Sequence, residues 1–152
     1  MSADSREVAV GPHRLPGLVT LPAPAGSAGL VVFAHGSGSS RLSPRNREVA
    51  RAIEAAGMGT LLFDLLHEDE ARDRRRVFDI PLLAERVVEA MAWCAGEAEL
   101  QARPLGLFGA STGAAAALVA AARAPVRVRA VVSRGGRPDL AGWALDGVRA
   151  PT

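Results

Sequence analysis

Ser111 stands in Gly109-Ala110-Ser111-Thr112-Gly113, a Gly-x-Ser-x-Gly pattern between an apolar run and an Ala-rich stretch. A nucleophilic serine has to be held at a turn so tight that neighbouring side chains would clash. Glycines two before and two after it, here Gly109 and Gly113, permit that geometry. A serine at a helix N-terminus also has free backbone N–H groups and the positive end of the helix dipole beside it, where a developing oxyanion would be stabilised. The Thr112 N–H is one such donor. The bland alternative is a serine that merely caps an Ala helix.

A second chemical segment is His35-Gly36-Ser37-Gly38-Ser39-Ser40, which follows the apolar run Leu30–Ala34. Glycine there lets backbone approach a substrate closely, and in a serine hydrolase such a loop supplies the second oxyanion donor, here the Ser37 N–H. Alone, the segment reads first as a flexible Gly-Ser loop with no ligand; together with the Ser111 motif it is far more specific. Gly36-Ser37-Gly38 lacks the third glycine of a dinucleotide fingerprint, and Gly109–Gly113 lacks the lysine of a phosphate loop, so no cofactor is expected. Asp64, at the end of a strand, could serve binding or loop hydrogen bonding.

The elements that must position these residues are legible from hydrophobic period. Short strands are predicted at Glu7–Val10 and Leu18–Leu21, as edge strands, followed by a small-residue loop over Pro22–Gly29. Leu30–Ala34, Thr60–Phe63 and Leu105–Phe108 are apolar runs of the kind buried on both faces of a parallel sheet, and Val128–Val132, flanked by arginines, is a fourth strand. Helices are predicted over Pro44–Ala56, with Ser43 as N-cap and Gly57 as stop, over Leu82–Ala95, and over Thr112–Ala122, closed by Pro125. Glu68–Arg76 is predicted as a mobile loop, and Asp139–Leu145 as one more short helix. Strand and helix alternate after position 30, so the fold class is α/β, a mostly parallel sheet with helices on both faces.

The 152 residues fit a single domain, with 49% hydrophobic and 22% charged residues, a balance that excludes wholesale disorder. Formal charge is only +2 although the isoelectric point is 9.8, because all 18 basic residues are arginine and acids nearly cancel them. The densest basic run, Arg72–Arg76, is interleaved with acids and has no aromatic for base stacking, so nucleic acid is not an expected partner. One cysteine, Cys94, excludes an internal disulfide and a cysteine zinc site, and no metal is expected; burial is its predicted state. Charges throughout the first fourteen residues argue against a secretory signal. Pro104–Ala122 is uncharged, but its glycines and small residues read as strand, turn and helix rather than a membrane span. A cytoplasmic protein is the expectation.

With these residues in place the sequence resembles the α/β-hydrolase superfamily, in particular its small dienelactone-hydrolase-like members. The likeness runs from about Leu30 to the C-terminus. It rests on Val31–Ser40, Leu61-Leu62-Phe63-Asp64-Leu65-Leu66 and Gly106–Gly113, with a weaker contribution from Phe78-Asp79-Ile80-Pro81. The resemblance implies Ser111 as catalytic nucleophile, Ser37 and Thr112 N–H groups as oxyanion hole, Gly109 and Gly113 as nucleophile elbow, and a small-molecule ester or lactone as substrate. It also implies the chain order serine, acid, histidine. Here His13, His35 and His67 all precede Ser111, so the acid and the base are not identifiable.

Three stand-ins can be weighed. In the family the histidine at the place of His35 usually supports its loop. His67 follows the next strand outward, about 10 Å away by strand spacing, and reads as a solvated loop residue. Asp139 occupies a place where some members carry their acid, but reads first as a helix cap. The expectation is therefore a hydrolase domain truncated before the strands that would carry acid and histidine, impaired or inactive as this chain. The alternative is a non-catalytic binding or dimerisation module. Val128–Val132 would then be an uncovered apolar edge, predicting a homodimer through that edge.

Overall fold

A computed structural model describes residues 4–22, 28–124 and 127–152. Most of the loop expected over Pro22–Gly29, and Pro125, lie outside the described residues. The strands are β1 (Asp4–Val10), β2 (Leu15–Leu21), β3 (Leu30–Ala34), β4 (Gly59–Phe63), β5 (Leu105–Ala110) and β6 (Val128–Arg134). They form one six-stranded sheet in the order β1-β2-β4-β3-β5-β6. β4, β3, β5 and β6 run parallel, while β1 and β2 form an antiparallel hairpin joined antiparallel to β4. The α/β class with a mostly parallel sheet is thus observed. One expectation is corrected: β2 is not an edge strand, because its other side is taken by β4.

Alternation along the strands sends side chains to two different layers. Val32, Leu61, Phe63 and Leu107 belong to the larger core, shared with helices α4 (Ile80–Gly96) and α5 (Thr112–Arg123). Phe33, Leu62 and Phe108 face the other way, against helix α1 (Pro44–Ala55) and its Ala50. Phe33 and Phe108, register partners on β3 and β5, pack with ring centroids 4.9 Å apart. α1 begins as predicted, with Ser43 Oγ accepting the Asn46 N–H at 3.3 Å and Pro44 in the first turn. α5 is buried from Thr112 through Ala121, which explains its alanines: a helix with neighbours all round needs small side chains to approach the sheet.

The segment expected to be a mobile loop is instead two short helices, α2 (Glu68–Ala71) and α3 (Arg74–Val77). Local caps start them, the Glu70 carboxylate accepting the His67 N–H and Asp73 accepting the Arg75 N–H, and an ion pair ties the first of them to α4. Arg86, 4% exposed, donates from both terminal nitrogens to the Glu70 carboxylate at 3.1 and 2.8 Å and to the Leu65 carbonyl at 3.1 Å. Asp79 caps α4 by accepting the Leu82 N–H at 3.1 Å, so this helix starts two residues earlier than its hydrophobic stripe suggests. Cys94 is buried, and burial pushes its thiol up to about 12. The expected last short helix is a 3₁₀ segment, Pro138–Gly147. β6 ends the sheet, and its Val131 N–H donates to the Pro151 carbonyl at 2.9 Å.

Candidate active site

Ser111 lies between β5 and α5 with φ 54° and ψ −122°, outside the regions that L-residues ordinarily occupy. Such a conformation costs about 1–3 kcal/mol and persists only where the surroundings enforce it. The Ser111 N–H donates to the Arg134 carbonyl at 3.2 Å, and the Ser111 carbonyl accepts the Ala114 N–H at 3.0 Å. A Cβ on Gly109 would collide with the Ala114 Cα, and one on Gly113 with the Ala34 and His35 carbonyl oxygens. Both glycines are therefore required by backbone packed against backbone. Among the described residues the Ser111 side chain has no hydrogen-bonded partner, so it is not the cap of α5.

The loop after β3 sits against this turn. A Cβ on Gly36 would be 3.1 Å from the Ser111 Cβ, which places the loop backbone beside the serine. Ser37 is exposed and, with Thr112, lines a cavity of about 370 Å³. The cavity wall is apolar at Leu65, Leu66, Val77 and Leu83, and Glu68 and Arg72 of the α2–α3 segment stand at its outer side. The Thr112 hydroxyl is buried with no partner among the described residues. The fold thus brings together Ser111, Thr112, Ser37 and the two glycines, which were expected to meet.

The histidines are all engaged elsewhere. His35 donates from Nδ1 to the Gly36 carbonyl at 2.9 Å, and its Nε2 accepts the Leu65 N–H at 3.0 Å. Burial holds its pKa below the ordinary value, outweighing the Gly36 bond and the Asp64 charge that act the other way. A neutral ring is what the Leu65 bond requires, since a protonated Nε2 could not accept. His35 thus supports the loop. His13 pairs through Nδ1 with Glu89 at 2.8 Å, and His67 donates from Nε2 to the His13 carbonyl at 2.6 Å. Asp139 does not cap a helix as expected, because its carboxylate pairs with Arg137 at 2.8 and 3.0 Å on the surface.

Other contributors were not visible in the sequence. Arg41 donates its backbone N–H and its Nη1 to the two oxygens of Asp64, both at 2.7 Å. Asp64 therefore has the loop role among the two left open. Arg134, whose carbonyl holds the Ser111 N–H, lays its guanidinium over Phe108 at 5.4 Å and donates to buried Asn46 at 2.7 Å. A single arginine inside a Gly-Ser loop and an asparagine on the inner side of a helix were the only local signals.

Residues 27–136 match the family described as an alpha/beta hydrolase domain. The structure of a dienelactone hydrolase from Anabaena variabilis superimposes with a TM-score of 0.91 at 52% identity, covering 99% of this chain and 71% of that one. Est1E from Butyrivibrio proteoclasticus shares the fold at a TM-score of 0.67 and 15% identity, over 86% of this chain and 49% of that one. A Mycobacterium tuberculosis protein provisionally named a phosphoribosyl transferase is 57% identical over 146 residues, 96% of this chain. The chain spans about a third of that curated relative's length.

Proposed function

The chain belongs to the alpha/beta hydrolase family, and from that premise we propose that it is a serine hydrolase domain acting on a small carboxylic ester or lactone. The observation that carries this reading is the backbone of Ser111, held at φ 54° between two glycines that only backbone can neighbour. In the proposed step Ser111 Oγ attacks the carbonyl carbon, its proton passing to water, and the C=O π pair moves onto oxygen. The Thr112 and Ser37 N–H groups donate to that oxyanion. Collapse breaks the bond to the leaving oxygen, which takes a proton from water and departs as the alcohol, or as the new hydroxyl of an opened lactone, leaving an acyl-serine that water cleaves. A cavity of about 370 Å³ with Leu65, Leu66, Val77 and Leu83 along its wall suits a compact apolar acyl group.

The Ser111 proton needs an acceptor, and none of the three histidines is placed to take it. Turnover by residues 1–152 alone is therefore expected to fall several orders of magnitude below that of a complete triad. The relative's transferase name describes a protein about three times as long as the matched stretch, and it is not brought to this chain. Labelling with a fluorophosphonate probe tests the reading. Covalent labelling that disappears in Ser111→Ala is expected; labelling that is absent, or that survives the substitution, overturns it.

A second reading, a non-catalytic module that pairs through its sheet edge, is favoured by one feature. β6 is an edge strand whose Val132 is 50% exposed, although the edge expected to be uncovered is partly taken, its Val131 N–H donating to the Pro151 carbonyl. The partner in that reading is a second copy of the chain.

A further inference from the structure

We propose that Asp64 is a positioning residue of the site, the anchor that sets the loop carrying the Ser37 N–H against Ser111. This rests on the hydrolase reading above. The loop leaves β3 at His35 and rejoins regular structure at Ser43, and it is tied at both ends to the same two residues beyond the end of β4. At its start, the Leu65 N–H bonds to the His35 ring at 3.0 Å. At its far side, Asp64 accepts the Arg41 backbone N–H and the Arg41 Nη1, each at 2.7 Å. Between the two ties the loop is a tight turn, with the Ser39 N–H donating to the Gly36 carbonyl at 3.2 Å.

The anchor is itself held by contacts on two sides. The Asp64 N–H donates to the Pro16 carbonyl at 2.9 Å, and Leu65 is fully buried with its carbonyl on the Arg86 guanidinium at 3.1 Å. A backbone N–H contributes to transition-state stabilisation only if it already points at the place where charge develops, and Ser37 is exposed, so burial of its own side chain does not fix it. Charge-assisted bonds to both carboxylate oxygens are the strong, directional kind suited to fixing such a loop. An asparagine could still accept the Arg41 backbone N–H, whereas alanine would lose both bonds.

The test uses the full chain with a fluorophosphonate, in which the Ser111 Oγ–P bond forms, the P–F bond breaks, and fluoride and the serine proton leave to water. The oxygen on phosphorus takes the place of the oxyanion. Asp64→Ala is expected to lower the maximal labelling rate about tenfold while changing the probe's apparent affinity less than about twofold. Asp64→Asn should lie between Asp64→Ala and the parent chain. Amide exchange should speed up at residues 36–41 in Asp64→Ala and stay unchanged in β3 and β5, which guards against simple unfolding. A labelling rate within about twofold of the parent, or a loss that appears only in affinity, overturns the proposal. If the parent chain is not labelled at Ser111, the hydrolase reading fails and this role with it. Exchange at residues 36–41 that does not respond to Asp64→Ala overturns the anchor alone.

Discussion

At the scale of single residues, the site depends on one backbone conformation and one protonation state. His35 works as a neutral ring that accepts the Leu65 N–H, and burial keeps its pKa below 6.5. Because the folded pKa is depressed, the unfolded chain binds the proton more readily. The His35 contribution is therefore complete above about pH 6.5 and is lost as pH falls from there through the folded value. Urea midpoints should drop between pH 7.5 and 5, and His35→Gln should flatten that slope while costing about 1–2 kcal/mol at neutral pH. An unchanged slope in the variant would assign the pH dependence to other groups. The tight turn at Ser111 was legible in the sequence because its requirement is steric and largely local: five consecutive residues carry most of it. The Asp64–Arg41 bonds were not, because nothing near either residue announces a partner on another element.

At the scale of elements, the α2–α3 segment shows where local reading stops. Its run of charges reads as a solvated loop, and most of those charges are indeed exposed, but Glu70 reaches Arg86 on α4 and turns the segment into one side of the cavity. Hydrogen bonds from the Arg86 side chain, set against partial burial, hold the Glu70 carboxyl down at about 2. A depressed carboxylate stabilises the fold above its unfolded pKa of about 4.5, and that contribution is lost as pH falls from there to about 2. Arg86→Met should cost about 1–3 kcal/mol, less than a fully buried pair because Glu70 keeps Arg76 at 3.3 Å as a second partner. In hydrogen exchange the variant should lose protection across residues 68–77 first. Equal loss across all elements would instead mean that the pair stabilises the core rather than the segment.

At the scale of the whole molecule, the alternation of apolar runs and amphipathic helices disclosed the parallel sheet and its two helical layers, whereas the hairpin's inward side was hidden because hydrophobic pattern does not specify which strand sits beside which. Val132, register partner of Phe108, points to the α1 face, and there Arg134 screens the Phe108 ring but leaves Val132 half exposed. If β6 pairs with a second copy, light scattering should give twice the chain mass at tens of micromolar, and Val132→Lys should shift it toward the monomer. A stable monomer across that range removes the dimer reading and leaves the hydrolase reading untouched.

The sheet order also governs how the molecule comes into being. β1 and β2 are joined by a tight turn and can pair locally, but β5 finds its register only by setting Leu105 beside Leu30, across most of the intervening chain. Long-range parallel pairing is slow because loop closure precedes the contacts that reward it. The two glycines beside Ser111 answer to different neighbours: Gly109 to the Gly113 and Ala114 backbone of its own turn, and Gly113 to the Ala34 and His35 carbonyls, so only the second requirement waits for β3 to lie against α5. During refolding the hairpin and the local part of the Ser111 turn can therefore form early, while the close approach of Gly113 to β3 comes only with the completed centre of the sheet.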